Sequence, residues 1–266
     1  MTSARMSMLA TLRGHLARIE AHGGGCAADR VALGHAECDV ALGGGLKRGA
    51  VHEVFAQAGR QSAAATGFVA SLASRVVARR PLVWVRQDFS DLETGALSMS
   101  GLVEFGLDPR YLVAVRAHDA DSAMRTAADA LACDSLGAVV LEVWGEVRQL
   151  DLVASRKLTL AAQASGVTAL LLRLAATPQP STAETRWIVR AARSPPAASR
   201  HAWGAPIFDA ELVRNRHGLT GRWIMEWECN ECLFKDRAAD PQPVAATACH
   251  RSHQAQAVTQ RRRRAG

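Results

Sequence analysis

The sequence predicts an α/β fold: a mostly parallel sheet flanked by helices, extended by C-terminal antiparallel strands. Three observations carry this. Between residues 51 and 172, short apolar runs alternate with longer segments whose apolar residues recur at helical spacing, the order of a parallel sheet wrapped by crossover helices. After Thr177-Pro178-Gln179-Pro180-Ser181 that spacing stops, and strand-like runs follow with polar turns between them. Hydrophobic residues make up 48% of the 266, enough to bury a core in one full domain with tails.

Taken in order, residues 4–21 read as an amphipathic helix, with Met8, Leu12, Leu16 and Ile19 at helical spacing and Gly23-Gly24-Gly25 ending it. A turn-rich stretch runs to Leu46. Val51–Phe55 is a short apolar strand, and Ser62–Arg79 a helix with Phe68, Leu72 and Val76 on one face. Leu82–Val85 is a strand. Asp91–Phe105 reads as one helix with Ser90 as its N-cap. Tyr111–Val115, Ala138–Val143 and Val167–Leu172 are strands, separated by helices over Asp119–Cys133 and Arg148–Gln163. Trp187–Ala191, Phe208–Val213 and Arg222–Trp227 are the antiparallel strands. From about Lys235 the chain is polar, rich in Ala, Gln and Arg, and without periodicity, so residues 236–266 are expected to form a disordered basic tail. The organisation is thus an N-terminal helix (1–25), an α/β domain (26–235) and that tail.

Charge narrows the partners. The net charge is +7 and the pI about 9.6, which draws a chain towards nucleic acid, acidic membranes or acidic proteins. Arg261, Arg262, Arg263 and Arg264 form a run that suits either a solvated tail or phosphate contacts. Met1 to Ala21 lacks the apolar core of a signal peptide, and no apolar stretch is long enough for a membrane helix. The expected location is cytoplasmic, and the six cysteines are expected to be reduced thiols.

The segment Leu42–Arg75 carries the most chemistry. A strand runs into a loop and then a helix, where a nucleotide-binding protein places GxxxxGK[ST]: glycines let backbone amides wrap the phosphates, lysine reaches the outer phosphates and the hydroxyl residue holds magnesium. The lead-in LGGGLKRGAVHEVFA, with Gly49 and Glu53 in step, resembles that of the RecA family. In that register Ala56 takes the first glycine position, Gln61 the second, Ser62 the lysine and Ala63 the hydroxyl residue. Every diagnostic position is changed, so Ala56, Gly59, Gln61, Ser62 and Ala63 form a degenerate nucleotide loop. Glu142, at the end of an apolar strand, stands where the family carries its Walker-B acid; the competing reading is a strand-end carboxylate satisfied by backbone amides. Gln87 sits about where a catalytic glutamate is expected, and it cannot take a proton as a carboxylate does.

Later segments narrow the likeness. RKLTLAAQASGVTALLLR resembles the RecA helix that opens on Arg-Lys-Leu and leads into a core strand. RWIVRAARSP, followed by FDAELVRNRHGLTGRWIMEWE, is similar to the ImuA family, the RecA-like, SulA-related proteins of bacterial damage-inducible mutagenesis cassettes. The likeness spans residues 5–235. It implies a RecA-like core acting in SOS-induced error-prone translesion synthesis, and the altered loop leads to the expectation of neither catalysis nor cofactor. The implied partners are an ImuB-like protein, an error-prone replicative-type DNA polymerase and RecA itself.

Other candidates lie outside the loop. Arg214, Arg216 and Arg222 with Trp223 could hold single-stranded DNA by phosphate contacts and stacking, or could serve an acidic partner or mere solubility. Arg193 and Arg200 lie where RecA-like proteins carry mobile DNA-binding loops. Cys229 and Cys232 form a CxxC pair followed by Cys249, His250 and His253, a loose match to a zinc site; free thiols are the favoured reading, and no metal is expected. The alternatives to the accessory function are a SulA-like cell-division inhibitor and an active RecA-type DNA-dependent ATPase.

Overall fold

The computed structural model describes residues 29–194 and 204–237. The chain opens with a two-stranded ribbon, β1 (Arg30–Val31) and β2 (Leu46–Lys47), around a short helix α1 (Ala36–Ala41). This is the stretch expected to be rich in turns. It is held by Asp39, whose carboxylate accepts from the amides of Leu33 (2.7 Å) and Gly34 (2.9 Å). The α/β core follows: β3 (Val51–Ala56), α2 (Ser62–Val76), β4 (Leu82–Gln87), α3 (Asp88–Thr94), α4 (Met99–Glu104), β5 (Leu112–Ala117), α5 (Ala120–Leu131), β6 (Ala138–Trp144), α6 (Leu152–Ser165) and β7 (Thr168–Leu174). Four strands complete it: β8 (Thr185–Ala191), β9 (Ile207–Asn215), β10 (Gly221–Glu228) and β11 (Leu233–Asp236).

The expected helix over 91–105 is two helices. Gly95, at φ +78°, stops the first, and the Ser98 hydroxyl caps the second by accepting from the Gly101 amide at 3.2 Å. Ser90 lies inside α3 instead of capping it. The helix expected from Arg148 begins only at Leu152, because the Asp151 carboxylate captures the Ala154 amide at 2.8 Å. The N-terminal helix, Arg200 and the basic tail beyond Arg237 lie outside the described residues.

Among the described residues nine strands form one sheet in the order β11-β10-β9-β8-β3-β7-β6-β4-β5. The six strands from β8 to β5 in this order run parallel, and β9, β10 and β11 add on antiparallel. The sheet is therefore large, mixed and mostly parallel, with helices on its faces. Every residue of β3 and β7 is buried, as expected of central strands covered on both sides. On one face α2 sets Phe68 among Trp187 (5.5 Å between centroids), Phe208 (5.6 Å) and Phe234 (5.3 Å). This aromatic cluster joins the antiparallel strands to the parallel core. The other face packs Val51, Val139, Leu141 and Leu171 with α5 and α6. Among the described residues no helix is long and apolar enough to cross a membrane.

Candidate functional site

In open α/β sheets ligands sit outside the carboxyl ends of the strands, near the place where strand order reverses. Here that place is the end of β3, which lies between β7 and β8 and leads through residues 57–61 into α2. The degenerate loop expected from the sequence is therefore where a ligand would be sought.

Its backbone is closed on itself. Gly59–Gln61 form a turn of 3₁₀ helix in which the Gln61 amide donates to the Ala58 carbonyl (2.9 Å) and the Ser62 amide to that of Gly59. A phosphate cradle needs those amides aimed at the ligand. Gly59 lies beneath the indole of Trp144: a β-carbon added there would come within 3.0 Å of the ring. The Gln61 side chain, in the place of the second motif glycine, accepts from the Ala191 amide at 2.7 Å and ties the loop to β8. Ala56 is fully buried, Ser62 is buried and Ala63 is exposed. A cavity of about 210 Å³ opens beside Ser62 and Thr66, with Arg86, Thr94 and Ser98 on its far side.

Glu142 is fully buried at the end of β6. Its carboxylate is satisfied by side chains, not by the backbone amides of the competing reading. Oε2 accepts from Trp84 Nε1 (2.9 Å) and Arg86 Nε (2.9 Å), and Oε1 accepts from Arg86 Nη2 (2.8 Å). Arg86 then directs its remaining donors to Asp91, the Thr94 hydroxyl (2.9 Å) and the Gly95 carbonyl (3.1 Å). All five N–H groups of the guanidinium are thereby used. Strand order makes this possible, since Arg86 and Glu142 are register partners on adjacent strands. Glu142, expected from the sequence to be Walker-B-like, is thus paired from within the protein, and binding a metal there would require displacing a buried guanidinium. Gln87 accepts from the Trp144 amide at 3.4 Å, and so helps hold the strand end whose indole covers Gly59.

Arg86 was the residue that sequence reasoning missed. The signal was a charged residue closing the apolar run Leu82–Val85, since a buried arginine needs a partner. A second such group lies on the opposite face of β3. Glu53 accepts from Arg186 Nε (2.8 Å) and the Ser181 hydroxyl (2.9 Å), while Arg173 and Arg186 flank the Phe55 ring at 5.5 and 5.8 Å.

Arg222 and Trp223, considered together for nucleic acid, do not share one surface. Arg222 and Trp223 alternate along β10, so their side chains leave opposite faces of the sheet. Arg222 is bound at both ends of its fork to Asp209 (2.7 and 2.6 Å), and that hydrogen bonding holds the Asp209 carboxyl below the usual carboxylate range. Trp223 instead packs towards Trp187 and His35, each 6.3 Å away. Arg214 donates to the Ser181 carbonyl, and Arg216 and Arg193 are exposed. The thiol of Cys232 donates to the Cys229 carbonyl at 3.4 Å, and burial with the nearby Glu104 and Glu228 pushes the Cys229 thiol up, away from the thiolate a metal would need. Cys249, His250 and His253 lie outside the described residues.

No protein-family model matches the chain. Two relatives named Protein ImuA, from two strains of Caulobacter vibrioides, are each 31% identical to it over 199 residues, spanning 69% of this chain and 77% of the relative. A likeness of that identity across most of both chains is the mark of common descent, and the chain belongs to the ImuA family.

Proposed function

We propose that the chain is a non-catalytic, RecA-like accessory of SOS-induced error-prone translesion DNA synthesis, working with an ImuB-like protein and an error-prone replicative-type polymerase, and contacting RecA. The single observation that carries the reading is the closed ligand end of β3. Gln61 and Ser62 amides are taken up in a tight turn, Trp144 roofs Gly59, and Arg86 occupies the carboxylate that would serve a metal. Such a loop offers a triphosphate neither ammonium nor metal anchor, and with them goes most of the charge stabilisation of phosphoryl transfer. Family membership supports the setting in damage-induced mutagenesis. A protein that keeps an α/β core after losing the means to hydrolyse nucleotide is suited to binding partners.

Two measurements test this. Deleting the gene is expected to abolish damage-induced mutation while leaving recombination intact; undiminished mutation after damage would sink the reading. In the second, the triple change Gln61→Gly, Ser62→Lys and Ala63→Thr is expected to leave ATP binding undetectable by calorimetry. It restores the motif letters but leaves Trp144 over Gly59 and Arg86 on Glu142. Strong ATP binding by that variant would show that the closed turn does not exclude a triphosphate, and steady phosphate release by the parent chain stimulated by single-stranded DNA would place the chain among working ATPases instead.

A further inference from the structure

At the opposite end of the sheet, beside the amino ends of β4 and β5, a cleft of about 620 Å³ opens between the last turn of α2 and the segment joining α4 to β5. It is separated from the degenerate loop by the length of α2, roughly 22 Å for its 15 residues. Arg48, Arg75, Arg79, Arg80 and Arg110 line it, with Tyr111 at its rim.

Among the described residues, Arg48, Arg75, Arg79 and Arg80 of this cleft meet no carboxylate. Asp108 is the one acid among the lining residues, and it is already bound to Arg110 at 2.7 Å. Arg75 donates through Nε and Nη2 to the Ala32 carbonyl (3.1 and 3.0 Å), and Arg80 Nε to that of Ser135 (3.3 Å). These neutral partners fix the guanidiniums without cancelling their charge. The Nε of Arg48 is buried and has no hydrogen-bond partner among the described residues, an unusual condition for a charged donor. The arginines around Asp209 differ, because carboxylates there meet Arg222 and Arg190 directly.

The backbone at the cleft is strained as well. Ala78 and Arg79 take φ of +47° and +66°, left-handed values that side chains disfavour. The turn is pressed against Gly137, where a β-carbon would come within 2.6 Å of the Val77 carbonyl oxygen. This bend turns Arg79 and Arg80 out at the cleft, both exposed.

We infer that this cleft binds the phosphate backbone of single-stranded nucleic acid. Guanidiniums arriving from two separate segments, the β2–β3 turn and the end of α2, suit a row of phosphates, which the exposed Arg79 and Arg80 can grip with paired donors. Tyr111, 48% exposed at the rim, supplies a face on which a base stacks. An acidic protein segment would match the charge but has no use for that ring. A nucleic-acid cleft here would stand whether or not the chain serves translesion synthesis.

The test is fluorescence anisotropy of a labelled oligothymidylate titrated with the full chain across a salt series. R79E/R80E, which alters two exposed side chains, is expected to weaken binding roughly tenfold or more. It should also flatten the salt dependence by about 1.4, at roughly 0.7 for each phosphate no longer gripped. Arg79→Gly is expected to weaken binding while raising Tm, because glycine accepts the left-handed backbone, and a merely structural arginine would not separate the two readouts. Tyr111→Ala should cost about fivefold or more in oligonucleotide affinity. Parent-like binding by R79E/R80E and Arg79→Gly overturns the assignment. So does displacement of the oligonucleotide by polyglutamate at equal charge together with a silent Tyr111→Ala, which would identify an acidic protein segment as the occupant.

Discussion

Replacing Glu142 with alanine is expected to destabilise the chain by about 3 kcal/mol or more, the usual cost of stripping one partner from a buried ion pair. The carboxylate is fully buried and accepts three hydrogen bonds, two of them from Arg86. Without it, Arg86 Nε and Trp84 Nε1 have no acceptor, and the buried guanidinium keeps only Asp91 as a counter-charge. The pair itself need not be a net source of stability, since desolvating both charges is costly. The double change Arg86→Met with Glu142→Leu is therefore expected to recover most of the loss: it leaves no lone charge in the core, and Asp91 retains Arg116 at 3.3 Å. Urea unfolding of the parent and both variants checks this. A Glu142→Ala chain as stable as the parent, but with magnesium-dependent nucleotide binding lost, would mean that the carboxylate serves a metal and not the fold.

Stability is expected to fall as pH drops from about 6.5 to 4, with His52 as a main cause. This imidazole is fully buried, bridging the Thr185 hydroxyl (2.7 Å from Nδ1) and the Lys47 carbonyl (2.8 Å from Nε2). The carbonyl requires a proton on Nε2, so Nδ1 is left to accept from Thr185, whose oxygen also accepts from Trp187 Nε1 at 3.0 Å. Burial disfavours the charged ring and lowers its pKa from 6.5 to about 4, although the Lys47 carbonyl partly opposes the shift. The unfolded chain takes up this proton near 6.5 and the folded chain only near 4, so the unfolded state holds more protons throughout that window and gains on acidification. At pH 4.5 the penalty is about 2–3 kcal/mol, from roughly 1.36 kcal/mol per unit over two units. Above about pH 7 the group is neutral in both states and adds no pH dependence. Urea unfolding at pH 7.5 and pH 4.5, repeated with His52→Gln, isolates the effect. Carboxylates contribute equally to both chains, so an identical acid loss in the variant would show that His52 is not responsible.

Much of the architecture was legible from local pattern. The apolar runs at 51–55, 82–85, 138–143 and 167–172 are the central strands, and Phe68, Leu72 and Val76 are buried on α2, because residue spacing is a short-range property written directly in the chain. Boundaries were less legible where one side chain or one glycine decides them. Gly95 divides a helix that hydrophobic spacing alone would continue, and Asp151 delays another by capping it. The segment Leu233–Asp236 gave too short a run to announce itself. It is a strand because β10 offers it an edge and Phe234 a place in the aromatic cluster.

By itself the sequence determined the α/β alternation, the antiparallel extension, the absence of a GxxxxGK[ST] motif after the first core strand and the excess of positive charge. These follow from residue identity and from periods of two or 3.6 residues, which neighbours in the chain impose on one another. Only the tertiary structure decided what became of the charges. Strand order set Arg86 against Glu142 although 56 residues separate them, the pleat sent Arg222 and Trp223 to opposite faces, and the end of α2 met the approach to β5 to gather arginines that no stretch of sequence holds together. Electrostatic pairing depends on distance and burial, and both are settled when separate segments pack.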